Sequence, residues 1–277
     1  MAARGEALGG AVSASAEGAD ALLSNPAGLA SLGPASPSDL TLSYDNLLET
    51  SYLGYMAYGR SVGQSSALGA DAIYFSQQPM TAYDQYGNAG GTFQPNDLAV
   101  TLAYATRFES VSIGAGIKMI RSSVDDANGV SAALDFGVQA KSLCLLGGRP
   151  VDAGAHFSNL GPAIKLGGVS APLPFSMTGG VVWHAISMLD GLLDLHMPVD
   201  QPAYASVGVE GVMRFDHERR KAVLRVGYNQ SHDRDVTGFT GFTVGAGLDL
   251  DIFRLDYAWV AFGALGMMNR VTVGFRF

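Results

Sequence analysis

From Asp39 to the end of the chain, apolar and polar residues alternate with period two in one segment after another. The last two segments show it most plainly. Phe253, Leu255, Tyr257 and Trp259 fall on one side with Arg254 and Asp256 between them. Val271, Val273, Phe275 and Phe277 then fall opposite Arg270, Thr272, Gly274 and Arg276. Successive side chains of a strand point to opposite faces, so each segment predicts a strand with one greasy and one wet face. Fourteen such strands are predicted, near 39–44, 52–60, 67–77, 97–107, 111–119, 130–141, 151–158, 175–185, 193–197, 204–215, 221–229, 242–250, 253–260 and 269–277.

Two arrangements produce this pattern: a soluble sheet structure, and a transmembrane antiparallel β-barrel with lipid on its greasy face. The greasy faces here are rich in aromatics, while glycine and charge collect on the other face, which favours the barrel. Link lengths agree. If the first strand runs outward, short turns are expected at 61–65, 108–110, 188–191 and near Asp251, and longer outer loops at 78–96, 159–174 and 230–241. An even number of strands then puts both termini on the periplasmic side. The final strand, with Val271, Val273, Phe275 and Phe277 outward, is expected to close the barrel.

Residues 1–38 do not alternate. They are rich in Ala, Gly and Ser, and 20–32 predicts one or two short helices with Asn25 as N-cap and Pro26 at the first helical position, where its missing N–H costs nothing. Leu22, Leu23, Leu29 and Leu32 give these helices a greasy side. Two readings fit: a loosely packed arm, or a plug folded into the barrel mouth. The chain therefore divides into an N-terminal segment, 1–38, and a barrel, 39–277.

Composition narrows the function. Of 277 residues, 48% are hydrophobic, 15% are charged and 36 are glycine, and no apolar run is long enough for a membrane-spanning helix. In lipid only helices and closed barrels satisfy their backbone groups, which leaves strands as the crossing element. A net charge of −8 argues against nucleic acid as a partner. The single cysteine, Cys144, excludes an internal disulfide and a cysteine-rich metal site. Met1 leads directly into Ala-Ala-Arg-Gly-Glu with no basic-then-apolar stretch, so an export signal is expected to have been removed.

No catalytic, metal or cofactor constellation stands out. His156, His184, His196, His217 and His232 are scattered; His156 and His184 fall on inward positions of neighbouring strands and read as polar lumen residues. Thirteen charges are placed inward: Asp71, Lys118, Asp135, Lys141, Glu210, Arg214, Arg225, Asp249, Asp251, Arg254, Asp256, Arg270 and Arg276. Their mixed signs suggest paired networks that fill a lumen rather than an open ion-selective channel, but for most of them the favoured reading is that they merely hydrate the interior. Gly114, Gly116, Gly245 and Gly247 are placed inward, leaving room for a plug. The apolar stretches 262–268 and 164–175 are outer-loop candidates for a partner or a hydrophobic ligand, or equally for loops that pack on each other.

Three stretches carry a family resemblance. GEALGGAVSASAEGADALLSNPAGLASL resembles the N-terminal segment shared by the long-chain fatty acid transporter (FadL) group and the PorV/PorQ family, on the motif Asn25, Pro26, Ala27, Gly28 and Leu29. SNLGPAIKLGGVSAPLPFSMTGGVVWH resembles PorV/PorQ through Asn159, Leu160, Gly161 and Pro162, then Leu173 and Pro174. LDYAWVAFGALGMMNRVTVGFRF is similar to that family's closing hairpin. The resemblance implies a fourteen-stranded barrel in the bacterial outer membrane, embedded in lipid, with its N-terminal segment inside. It also implies a non-enzymatic docking or shuttle role for a type IX-like secretion or surface-assembly complex. A translocon or surface protein would then contact outer-loop residues Asn159, Leu160, Gly161, Pro162, Leu173, Pro174, Phe262, Leu265, Met267 and Met268. The alternative is a FadL-like conduit for small hydrophobic molecules, with a greasy pocket beside the Asn25–Pro26–Ala27 hatch.

Overall fold

The computed structural model describes residues 2–47, 51–215, 220–233 and 237–277. Its strands are β1 (Ser38–Asn46), β2 (Ser51–Ser61), β3 (Ser66–Gln77), β4 (Met80–Tyr83), β5 (Ala89–Phe93), β6 (Asn96–Phe108), β7 (Val111–Val124), β8 (Ala127–Leu146), β9 (Arg149–Leu160), β10 (Ile164–Leu166), β11 (Val169–Ala171), β12 (Ser176–Ile186), β13 (Leu189–Pro198), β14 (Tyr204–Phe215), β15 (Arg220–Asn229), β16 (Thr240–Leu250), β17 (Phe253–Phe262) and β18 (Met267–Arg276). Fourteen of them form one closed antiparallel barrel, in which each pairs with its neighbours in chain order; β4–β5 and β10–β11 are separate hairpins in two of the links. The fourteen barrel strands correspond one to one with the fourteen predicted from alternation.

Closure is complete. β1 pairs with β18 from Asp39↔Arg276 to Asn46↔Asn269. Beyond that ladder, Ser38 and Phe277 exchange both backbone bonds, at 2.9 and 3.0 Å. Every strand therefore has two partners, and no edge is left to be satisfied in lipid. The alternation sorts the two faces as expected. On β1, Asp39, Thr41, Ser43 and Asp45 are buried in the lumen while Leu42 and Tyr44 are exposed outside. The outward faces of β6, β7, β8 and β14 repeat this with Leu102, Tyr104, Ile113, Ile117, Phe136, Val207 and Met213.

One end of the barrel, the turn end, carries the C-terminus, the start of β1 and the tight links, among them Glu109–Ser110 and Asp251–Ile252. The other, the loop end, carries the two hairpins. Three expectations need correction. The loop-end link between β7 and β8 is only Asp125 and Asp126, with Asp125 at φ 52, because those strands extend beyond their predicted ends. The short strand predicted at 193–197 runs over Leu189–Pro198, its register set by β12 and β14 on either side. Asp251, assigned to the lumen, is an exposed turn residue at φ 76.

A fourteen-stranded barrel is too wide for wall side chains alone to fill, since about eight strands is the width at which they suffice. The N-terminal segment occupies the space. It forms α1 (Ala3–Ala7) and two 3-10 turns, Ala19–Leu23 and Pro26–Ser31. Leu8, Ala11, Val12 and Ala14 pack on Val182 and Leu192. Leu22, Leu29 and Leu32 pack on Tyr55, Ala57, Ala67, Ala103 and Ala105. The helix α1 has no counterpart in the sequence reading, because its small residues show no periodicity.

Glycines make the fit close. A Cβ on Gly114 would lie 2.4 Å from the Pro26 carbonyl carbon, and one on Gly245 would lie 2.4 Å from Ala7 Cβ. Gly116 and Gly247 differ from expectation: their lumen sides face wall residues, Thr101 for the first and the Asp256–Arg225 pair for the second. Gly114→Val should keep the barrel and displace the plug, at about 1–3 kcal/mol of overpacking. Hydrogen exchange of amides 27–31 should accelerate at least tenfold while the strand amides stay protected.

Candidate functional site

The hatch motif is explained atom by atom. Asn25 is fully buried, and its Oδ1 accepts from the Ala27 N–H at 3.1 Å, capping the second 3-10 turn with Pro26 at its first position. Its Nδ2 donates to the carbonyls of Ser13 at 2.8 Å, Val138 at 3.1 Å and Ala155 at 3.3 Å. One amide thus ties the plug to itself and to β8 and β9. Gly28 lies where a Cβ would be 2.2 Å from the Ala16 carbonyl, and Leu29 fills the notch left by Gly59 and Gly69.

The rest of the plug is held by charge. Arg4 forms a two-pronged pair with Glu210 at 2.9 and 3.0 Å and donates to the Ser15 carbonyl. Arg225 bridges Glu210 and Asp256, both at 2.6 Å. Arg254 reaches Asp20 at 2.7 Å, and Arg270 joins Glu6 at 2.8 Å to Asp45. Burial would raise the Glu6 carboxyl, but Arg270 opposite holds it below the usual carboxylate range. Asp194 accepts from the Val12 and Ser13 N–H groups at 3.0 and 2.8 Å. Among the described residues the inward charges form paired networks around Arg225, Arg254 and Arg270, and Arg4, Glu6 and Asp20 of the plug join them.

Three cavities follow one another along the lumen. At the loop end, about 50 Å³ is enclosed by Leu22, Leu23 and Pro26 of the plug and by Ile73, Phe157 and Asp71 of the wall, among others. A second, about 30 Å³, lies within the plug and shares Leu23 and Ser24 with the first. The third, about 210 Å³, is a charged vestibule at the turn end that shares Arg4, Glu17 and Arg254 with the second.

The predicted loop contacts fare differently. Asn159 and Leu160 belong to β9, not to a loop. Asn159 stands at φ 59, a left-handed conformation that Asn tolerates. Its N–H donates to Asp135, its Oδ1 accepts from Lys118 at 2.9 Å, and its Nδ2 donates to the Pro174 carbonyl at 3.0 Å. Gly161 lies against the Ala132 carbonyl, and the Pro162 carbonyl accepts from Ser131. Leu173 and Met268 are buried and offer nothing to a partner. Phe262 ends β17, while Leu265, Met267, Gly161, Pro162 and Pro174 are exposed at the loop end. Val271, Phe275 and Phe277 face outward with Val273 on the closing strand.

The two inward histidines do not converge. His156 lines the loop-end cavity, and His184 lines the opposite vestibule between Asp152 and Asp190. His217 lies outside the described residues. Among the described residues no group of His, Cys, Asp and Glu could hold a metal ion. Sequence reasoning passed over Asp194, Arg4 and Glu6. Asp194 was legible, since Leu193 and Leu195 outward place it inward; Arg4 and Glu6 lie in a segment without periodicity.

No protein-family model matches the chain. No curated protein matches it either. Solved structures do. The Ralstonia pickettii toluene transporter TbuX aligns at TM-score 0.66 and 12% identity, covering 100% of this chain and 98% of that one. The Pseudomonas putida toluene transporter TodX aligns at 0.65 and 12%, with the same coverage. A Pseudomonas aeruginosa FadL homologue aligns at 0.59 and 10%, covering 99% and 98%. At these identities the likeness shows the fold alone: a closed antiparallel barrel of fourteen strands.

Asn25→Ala should destabilise the plug by about 1–3 kcal/mol, the cost of leaving buried polar groups unsatisfied. Asn25→Asp should be worse, since it sets a carboxylate against three carbonyls. Limited proteolysis within residues 13–31 should rank the plug's release as wild type, then Ala, then Asp.

Proposed function

We propose that the protein is an integral barrel of a bacterial outer membrane, with its turn end and C-terminus periplasmic, and that it conducts small hydrophobic molecules inward past a movable plug. The observation that carries this reading is the series of three cavities, neighbours separated only by plug and wall side chains, with Leu23 and Ser24 common to the first two and Arg4, Glu17 and Arg254 to the last two. The first has an apolar floor beside Pro26, where a conduit would take up its cargo. Apart from its chain connection into β1, the plug is held by apolar packing, hydrogen bonds and ion pairs and by no cross-link, so it can shift without opening the wall. The fold shared with toluene transporters supports the same reading. No step in it calls on an enzyme's chemistry.

A docking role of the PorV/PorQ type is the second reading. It rests on the resemblance of three stretches and on apolar side chains exposed at the loop end, including Tyr83, Tyr86, Leu265 and Met267. A stoichiometric protein partner in a gentle-detergent preparation from the native host would support it.

The conduit reading is tested by uptake of radiolabelled toluene into bacteria with a lipopolysaccharide outer leaflet, a barrier that makes an outer-membrane conduit visible. Cells carrying the protein should take up toluene several-fold faster than cells carrying an empty vector. Equal rates, with the barrel folded in the outer membrane, would contradict the reading.

A further inference from the structure

Exposed charge is divided unevenly between the two ends of the barrel. Among the described residues the wall at the turn end exposes Arg60, Arg107, Lys141, Arg149, Arg214 and Arg220, against Glu109 and Asp251. The loop end exposes Asp84, Asp97, Asp125, Asp126, Asp200 and Asp233, against Arg121 and Lys165. A chain of net charge −8 should be acidic at both ends, so the basic end does not follow from composition. Three of its six cations point outward, toward lipid. Arg60 follows Met56 and Tyr58 on the outer face of β2. Arg220 shares the outer face of β15 with Leu224 and lies in register with Phe215. Arg149 lies in register with Leu146 on the β8–β9 hairpin, and because Asp152 points into the vestibule, Val151 and Arg149 point out. Pairing of β8 with β7 ends at Ala140, so this hairpin reaches beyond its neighbour and carries Arg149 farther from the membrane centre.

Each of these arginines borders a large outer side chain: Tyr58, Phe215, and Leu146, whose carbonyl accepts from the Trp183 indole at 3.3 Å. A guanidinium at the border of an apolar, aromatic band lies at headgroup depth, with its stem along the acyl chains. Among the described residues no carboxylate pairs with Arg60 or Arg149. The charge selects the headgroup. A zwitterionic lipid brings an ammonium of its own to each phosphate. An anionic glycerophospholipid brings none, so its phosphate gains most from a protein cation, while the acidic loop end repels it. We infer that the turn end of the wall gathers anionic glycerophospholipid, with Arg60, Arg149 and Arg220 against the headgroups, and that the loop end does not. This rests on the reading of the chain as a membrane barrel with its turn end at the periplasmic leaflet, and adds to it the class of lipid that surrounds that end.

The chain's two tryptophans report on the two ends. Trp183 lies on the outer face near the turn end, in register with Val151, and Trp259 on the outer face near the loop end, in register with Asn269. Trp259→Phe and Trp183→Phe each leave one reporter. Each variant is reconstituted in phosphatidylcholine vesicles carrying the same small share of dibrominated phosphatidylglycerol or of dibrominated phosphatidylcholine, and tryptophan quenching is measured. The brominated phosphatidylglycerol should quench Trp183 at least twofold more than the brominated phosphatidylcholine does, and Trp259 no more. Raising salt from about 0.1 M to about 1 M shortens the screening length from about 10 Å to about 3 Å and should remove the excess. So should Arg60→Gln, Arg149→Gln and Arg220→Gln together, in a barrel whose folding is checked by heat-modifiable migration. Equal quenching of Trp183 by the two lipids would overturn the inference and leave the membrane barrel standing. An equal excess at both tryptophans would overturn it too, as would an excess that survives high salt or the triple variant. No quenching of either tryptophan by either lipid would overturn the membrane reading as well.

Discussion

The structure depends on one constraint: a fourteen-stranded wall satisfies its own backbone but cannot fill its own interior. Closure between β1 and β18 removes every edge, and the outward alternation then suits lipid. What remains is a lumen, and filling it decides the rest. The N-terminal segment enters with small residues and short 3-10 turns, and the wall gives way with Gly114, Gly208, Gly227 and Gly245 where the plug approaches. Where glycine does not make room, polar wall side chains meet plug carbonyls and N–H groups, as Asn229 does with Gly9 and Thr272 with Ala3.

Ion pairs do the remaining work, and their arrangement bears on function. Arg4, Glu6 and Asp20 of the plug pair with Glu210, Arg270 and Arg254 of the wall. Removing one partner of such a buried pair strands the other, so the plug has one well-defined seat. The same contacts are reversible. The cavities lie on either side of this seat and inside it, and the proposed conduit would run through it.

Much of this was legible in the sequence because a strand writes its two environments in alternate residues. The fourteen strands, their outward aromatics and the inward placement of most lumen charges follow from period two, whereas the pairing of those charges does not. Asn25 and Pro26 were legible for a different reason, as an N-cap followed by a proline. What was not legible is long-range. Nothing local shows that the Asn25 amide reaches Val138 and Ala155, or that Asp194 receives two plug N–H groups. Asn159 was misread as a loop contact because its backbone turns left-handed within β9, and its side chain is taken up by Lys118 and Pro174. Likewise Leu173 and Met268 are apolar because they are buried, not because a partner covers them.

The central claim is that molecules pass only when the plug moves. Ala3 of the plug donates its N–H to Thr272 Oγ1 of β18 at 2.9 Å, which brings these two positions together without a glycine between them. Ala3→Cys with Thr272→Cys, in a Cys144→Ser background, would lock the plug to β18 under oxidising conditions. Uptake of toluene by cells carrying this variant should fall to the empty-vector level when oxidised and recover on reduction. Undiminished uptake through the locked barrel would contradict the account.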